Sequence, residues 1–280
     1  MNMQVVNTVQ DLKKWVQSTT QSGRSIGLVP TMGFLHEGHM ALVEAAKAEN
    51  DVVAMSIFVN PAQFGPNEDF DRYPRDFERD SMLAEKAGVD IIFAPSVKEM
   101  YPHDSQITMS AGMLANVLCG KSRPGHFDGV LKVVTKLFHL VQPNAAYFGQ
   151  KDAQQLAIIE SLVRDFNFSL KIRRVETVRE QDGLAKSSRN VYLSNAERRE
   201  APELYRSLQR GVKDAREGQD PIPEMIRLIE SETSGTIDYI ELLSYPDLQQ
   251  EPKEQAILAL AVQFQKARLI DNIIFNLKEN

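Results

Sequence analysis

The chain has 280 residues, 42% hydrophobic and 25% charged, the composition of a soluble globular protein with room for one large or two modest domains. Its net charge of −6 supplies no global basic field for nucleic acid or an anionic membrane, so any anion must be bound locally. The single cysteine, Cys119, excludes an intramolecular disulfide and reads as a small buried residue in a reducing compartment. No signal-peptide pattern opens the chain, and no apolar run approaches the ~20 residues of a membrane span, so the expectation is a cytoplasmic protein without nucleic-acid or membrane partners.

Residues 8–21 read as a first helix, with capping-box spacing between Thr8 and Asp11. Residues 26–29 form a short strand, broken by Pro30 and Gly33, and a helix follows over 38–49. Residues 52–59 are nearly all apolar, as expected of a strand covered on both faces, and Asn60-Pro61 ends it. A loop over 63–74, a helix over 75–87 and a strand over 89–94 come next. The pattern then weakens, with a strand near 106–110 and a short helix from Met113. A loop over 121–129 leads into an apolar helix over 130–141, then a strand over 145–148, a helix to Leu162 and a strand over 170–175.

Strands alternating with helices predict a Rossmann-like, mostly parallel sheet with helices on both faces, spanning residues 1–176. After that the order changes. Helices over 195–216 and 222–233 precede strands over 236–243, 256–262 and 268–275. That succession predicts a smaller α+β domain with an antiparallel sheet over residues 177–280.

The turn Met32-Gly33-Phe34-Leu35-His36-Glu37-Gly38-His39 joins a strand to a helix N-terminus. Unpaired N–H groups, the helix dipole and two imidazoles all favour an anion there. Zinc is disfavoured, because a protease-type pair needs its second histidine where Met40 stands and no Cys/His cluster supplies further ligands. Ligands of open α/β sheets collect beyond the carboxyl ends of strands. Asn60 to Gln63, Gly149 to Asp152, and Lys186-Ser187-Ser188-Arg189-Asn190 lie at such ends or near the domain junction. Lys151 and Arg189 bring positive charge, and the serine hydroxyls can donate to phosphate.

Taken together these segments resemble the pantothenate synthetase (pantoate–β-alanine ligase) family of the nucleotidylyltransferase superfamily. The resemblance rests on the Pro30 to His39 turn with its His-x-Gly-His motif, Phe58-Val59-Asn60-Pro61-Ala62-Gln63-Phe64, Tyr73-Pro74-Arg75, Ser122-Arg123-Pro124-Gly125-His126-Phe127, Phe148-Gly149-Gln150-Lys151-Asp152, Asp182-Gly183-Leu184-Ala185-Lys186-Ser187-Ser188-Arg189-Asn190 and Ala267-Arg268-Leu269-Ile270-Asp271-Asn272. Gln150 stands where many members carry glutamate. The His-x-Gly-His motif marks the superfamily, and the joint set marks the ligase.

The resemblance implies a two-step reaction in which pantoate attacks the α-phosphorus of Mg-ATP and the β-alanine amine then displaces AMP. It implies catalytic roles for His36, His39, Lys151 and Arg189. Met32, Gly33, Phe34, Leu35, His36, Glu37, Gly38, His39, Gly149, Gln150, Lys151, Asp152, Val178, Lys186, Ser187, Ser188 and Arg189 would bind ATP. Gln63, Gln155 and Asn60 would bind pantoate or β-alanine, and Arg123 and His126 are further candidates. Magnesium would be held mainly by phosphate oxygens, with no protein ligand named for it, and the protein would be a homodimer. A nucleotidylyltransferase that leaves AMP on a phosphorylated substrate, and an idle nucleotide-binding module, are the competing functions.

Overall fold

The computed structural model describes every residue except 1, 2, 67, 69, 279 and 280. The chain divides into two compact units, each assembled from separated stretches. The first comprises Met1–Ala111, Pro124–Gln150 and Ile158–Glu176, and the second Gly112–Arg123, Lys151–Ala157 and Thr177–Asn280.

In the first unit the elements run β1 (Gln4–Val6), α1 (Val9–Gln21), β2 (Ile26–Thr31), α2 (Glu37–Glu49), β3 (Val52–Ile57), α3 (Phe77–Ala87), β4 (Ile91–Phe93) and α4 (Val97–Met100). After α5 (Leu118–Ser122), which belongs to the second unit, come α6 (His126–Val141), β5 (Ala145–Gly149), α7 (Ala153–Asp165), whose residues 153–157 are counted with the second unit, and β6 (Lys171–Val175). Six strands form one sheet in the order β1-β4-β3-β2-β5-β6 with every pairing parallel. Helices flank it, as the alternating pattern predicts. Val29, Met55, Ile92 and Tyr147 from the strands pack with Leu42, Val43 and Ala46 of α2 and Ala84 of α3, all buried.

The strand order reverses between β2 and β5. Their ladder pairs only Gly27 with Ala145 and Leu28 with Ala146, and Pro30, which has no N–H to donate, lies two residues on. The carboxyl ends of the two strands therefore run unpaired with each other, which is the place where an open α/β sheet makes room for a ligand.

In the second unit, α8 (Asn195–Glu200), α9 (Glu203–Arg216) and α10 (Ile222–Glu232) precede β7 (Thr236–Ser244), β8 (Gln255–Gln263) and β9 (Arg268–Asn276), an antiparallel sheet in the order β7-β8-β9. Central β8 is buried on both faces. Ala256, Leu258, Leu260 and Val262 join Leu204, Leu208, Met225 and Ile229 of the helices, while Ile257 and Ala259 meet Leu118, Ala153 and Ala157. The period-two alternation of a strand thus serves two cores.

Three expectations need correction, and one strand, β1, was not expected. No strand forms near 106–110, where Ile107 is 77% exposed and no neighbouring strand offers a ladder. Helix α6 starts at His126 rather than 130, because Gly125, at φ +80°, turns the chain into it. The helix expected over 195–216 is two helices, α8 and α9, separated at Ala201-Pro202, where proline lacks the N–H that a continuous helix needs. Strand β1 has no counterpart among the expected elements, since three partly exposed residues at a sheet edge carry no periodic signal.

Candidate active site

The turn after β2 is held by hydrogen bonds within its own unit. Gly33 N–H donates to Thr31 Oγ1 at 3.2 Å, and Phe34 and Leu35 N–H each donate to the Asp80 carboxylate at 2.7 Å. His36 is the N-cap of α2. Its Nδ1 accepts Gly38 N–H at 3.1 Å, while its own N–H donates to His39 Nδ1 at 3.2 Å. Two imidazoles thus play the parts that serine and glutamate play in an ordinary capping box. His39 and Met40 N–H donate to the His36 carbonyl.

The basis for anion binding at this turn therefore differs from the expected one. The N–H groups of Gly33, Phe34, Leu35, His36, Gly38, His39 and Met40 all have acceptors within the protein. The helix dipole and the two imidazoles therefore carry more of the basis for anion binding than those N–H groups do. Because both Nδ1 atoms are acceptors, each neutral ring carries its proton on Nε2. The rings lie together, with centroids 4.1 Å apart at 44°.

A second group of side chains forms beyond β3. Asn60 is 1% exposed and Gln63 8% exposed. Asn60 Nδ2 donates to Gln63 Oε1 at 3.0 Å and to the Gly129 carbonyl at 3.1 Å, and its Oδ1 accepts from Tyr101 OH at 2.8 Å and from Ala62 N–H. Burial pushes the Tyr101 hydroxyl up to about 12, which keeps it a donor. These bonds fix the Gln63 amide with Nε2 towards Met32 Sδ, 3.2 Å away. His126, a residue without an assigned role in the sequence, places Nδ1 2.7 Å from the Gln63 carbonyl.

Gly149 and Gln150 end the β5 segment of the first unit, and Lys151 begins a stretch of the second. Lys151 Nζ lies 3.5 Å from Asp152 Oδ2, with the lysine side chain 20% exposed, and its carbonyl accepts from Asn272 Nδ2 at 2.8 Å. The adjacent glutamines differ. Gln154 is buried and bonded to Gly120 N–H and to the Leu114 and Val117 carbonyls, whereas Gln155 is half-buried.

Val178 accepts Lys186 N–H at 2.9 Å, closing a small hairpin whose turn carries Gly183 at φ +98°. Lys186 Nζ pairs with Glu180 at 2.9 Å. Ser187 caps the next turn, its Oγ accepting Arg189 N–H at 3.2 Å, and Ser188 is buried. Arg179 anchors the hairpin to β9 by two bonds to the buried Asp271 carboxylate, at 2.6 and 2.9 Å, and lies over the Tyr205 ring. Asp271→Ala is expected to cost about 1.5–3 kcal/mol, the usual loss for charged hydrogen bonds. Urea denaturation measures it, and an unchanged midpoint would disprove the anchor.

Arg123 and His126 close α5 and open α6, and the Arg123 main-chain N–H donates to the Cys119 carbonyl. Cys119 itself is buried, with Sγ 3.2 Å from Tyr239 OH. Among the described residues no cluster of three or more His, Cys, Asp or Glu is placed to hold a metal ion. No helix among them is long and apolar enough to cross a membrane. Asp80 and Tyr101 carry no functional signal in the sequence, and Asp271 stands out there only as part of a family segment, without a partner. Asp80 lies in the charged run Asp76-Phe77-Glu78-Arg79-Asp80, which reads as a solvated helix face; Tyr101 and Asp271 sit in segments whose partners are remote in sequence.

An all-parallel sheet with a reversed strand order, and a histidine-capped helix at the point of reversal, define an α/β enzyme of the doubly wound type. The sequence model of the Pantoate-beta-alanine ligase family matches residues 4–274. The chain is 58% identical to a pantothenate synthetase of Lysinibacillus sphaericus, over 99% of each, and 56% identical to one of Bacillus pumilus, over 99% of this chain and 98% of that protein. A crystal structure of the Thermus thermophilus pantothenate synthetase superposes with a TM-score of 0.91 at 45% identity, covering 97% of this chain and 99% of that one. The Francisella tularensis pantoate-beta-alanine ligase, crystallised with β-γ ATP and β-alanine, gives 0.83 at 37% identity over 97% of each chain. The chain belongs to the pantoate-beta-alanine ligase family. It is a ligase of pantothenate biosynthesis that acts on pantoate, β-alanine and ATP.

Proposed function

We propose that the enzyme works through the residues named above, activating pantoate as an acyl adenylate. The pantoate carboxylate attacks the α-phosphorus of ATP and pyrophosphate leaves. The β-alanine amine then attacks the acyl carbon, AMP departs with the former carboxylate oxygen, and the amine loses a proton. Oxide is a hopeless leaving group and AMP is a good one, so no covalent enzyme nucleophile is needed. The protein's task is positioning and charge stabilisation.

The observation that carries this reading is the histidine capping box. With both Nδ1 atoms accepting main-chain N–H groups, His36 and His39 face a departing pyrophosphate as neutral Nε2–H hydrogen-bond donors, holding its developing charge. Lys151 is assigned to the α-phosphate oxygens, and Lys186, Ser187, Ser188 and Arg189 to the remaining phosphates. Met32 to Gly38, Gly149 to Asp152 and Val178 line the nucleotide. Gln63, with its amide polarity set by Asn60, presents Nε2–H to an oxygen of pantoate, and Gln155 offers a second amide.

Magnesium, with no three-residue acidic or histidine cluster among the described residues to receive it, fits an ion that arrives with ATP and keeps phosphate and water oxygens. Bound there it would neutralise phosphate charge. The same reading divides the work between residues 1–176, for nucleotide and pantoate, and residues 177–280, which bring the Lys186 to Asn190 loop. It also carries a cytoplasmic location and a homodimer, the latter tested by light scattering on the purified protein.

Product analysis tests the function. With ATP, magnesium and pantoate alone, labelled pyrophosphate exchanges into ATP; with β-alanine added, AMP and pantothenate accumulate in equal amounts. ADP formation, or AMP retained on the pantoate product, would contradict the reading.

A further inference from the structure

We infer that Asp80 is a positioning residue for adenylation, its carboxylate holding the turn that aims His36 and His39. The inference rests on the role given above to the two histidines.

Asp80 lies on α3, 46 residues from the turn in sequence, and is 1% exposed. Its two oxygens are divided between successive N–H groups, Phe34 on Oδ2 and Leu35 on Oδ1, both at 2.7 Å. Successive main-chain donors converging on one carboxylate form an anion nest, and a charged acceptor makes each bond stronger than a neutral one would. Arg79 Nη1 lies 3.6 Å from Oδ1, and its guanidinium lies over the Phe34 ring, 5.2 Å from the centroid.

The turn is shaped around this carboxylate. Gly33 has φ +85° and Phe34 φ +50°, two consecutive left-handed residues, and a Cβ on Gly33 would lie 3.0 Å from Asp80 Oδ2. The non-glycine Phe34 conformation carries strain that the surrounding bonds must hold. The next N–H after Leu35 is that of His36, which already goes to His39 Nδ1. Asp80 therefore fixes the two residues immediately before the capping box. Burial pushes its carboxyl above the usual range, against the opposing pull of the Leu35 and Phe34 donors and Arg79. A buried carboxylate is a costly way to fill space, and an apolar side chain would pack α3 at least as well. What an apolar side chain cannot do is accept two N–H groups.

Asp80→Asn keeps the shape and replaces one acceptor by a donor, so one of the two N–H groups meets another N–H. The expected result is a folded enzyme whose kcat for pantoate-dependent pyrophosphate exchange falls about 10- to 100-fold, as for a small misplacement of catalytic groups, while the KM for ATP moves less than about threefold. In nitrogen-detected NMR the His36 and His39 ring signals shift from their Nδ1-acceptor positions. Asp80→Ser, which retains a single acceptor, serves in place of the amide if that variant does not fold. His39→Ala, run in parallel, separates the two ideas. A fully active His39→Ala enzyme would overturn the reading of the histidines. An inactive His39→Ala beside an Asp80 variant that loses thermal stability but keeps kcat and unshifted histidine signals would overturn the positioning role alone.

Discussion

Lys151→Ala is expected to lower the adenylation rate by about 10²–10³-fold, the loss typical of one transition-state donor, while thermal unfolding stays within about 2 °C. The two halves of that expectation come from different atoms of the same residue. Among the described residues the ammonium's ion pair is a 3.5 Å contact with the half-exposed Asp152, of the kind that contributes about 0–1 kcal/mol. The main chain at 151 is held by Asn272 Nδ2 on its carbonyl, a bond that alanine keeps. Pyrophosphate exchange and calorimetry on one preparation make the measurement. Exchange within about threefold of the parent rate would remove Lys151 from the reacting centre.

Gly129→Ala is the largest expected effect away from the phosphates. A Cβ there would lie 2.0 Å from the Ala62 carbonyl oxygen, 2.4 Å from its carbon and 2.6 Å from Gln63 N, all main-chain atoms that no rotamer change can move aside. Helix α6 and the turn Pro61–Gln63 must separate. We expect a stability loss of about 3 kcal/mol, the upper part of the range for overpacking. The same displacement lengthens the Asn60 bond to the Gly129 carbonyl and frees the Gln63 amide to turn. The KM for pantoate should rise about tenfold, equivalent to roughly one polar contact, with the KM for ATP little changed. Parent-like stability, or an equal rise for both substrates, would show that the contact between α6 and the turn does not shape the pantoate site.

The parts of the fold with a strong local signal were legible in the sequence. The continuous apolar run of β3, the alternation of strands with helices, and the three closing strands are each fixed by their own residues, as is the helical character of 195–216 and 222–233 though not the break at Ala201-Pro202. Thr8 caps α1 through Asp11 N–H as its spacing predicts. Elements defined by partners were not legible. Strand β1 exists because β4 offers it a parallel edge, and the 106–110 stretch, with an apolar residue at alternate positions, remains irregular because nothing offers it one. Gly125 and Gly129 look like loop residues in isolation. One starts a helix with a left-handed residue and the other lets that helix approach Ala62.

The candidate site divides in the same way. His36 and His39 stand out by type and spacing, and resemblance to the family points to Lys151, Gln63 and the 186–190 loop. The wiring that orients them is silent in the sequence. Asp80 is 46 residues from Phe34, Tyr101 is 41 from Asn60, and Asp271 is 92 from Arg179. Each is an ordinary charged or aromatic residue until the fold gives it a partner. Of the N–H groups expected to be open at the α2 terminus, those of His36, Gly38, His39 and Met40 are taken up by the two histidines, and those of Phe34 and Leu35 just before it by a remote carboxylate.

The central claim is that the pantoate carboxylate itself attacks the α-phosphorus of ATP. Pantoate labelled with ¹⁸O in both carboxylate oxygens, turned over with ATP, magnesium and β-alanine, tests it directly by mass spectrometry of the products. One ¹⁸O atom should appear in the phosphate of AMP and the other should remain in the amide carbonyl of pantothenate. Unlabelled AMP, or label in inorganic phosphate released with ADP, would contradict the account.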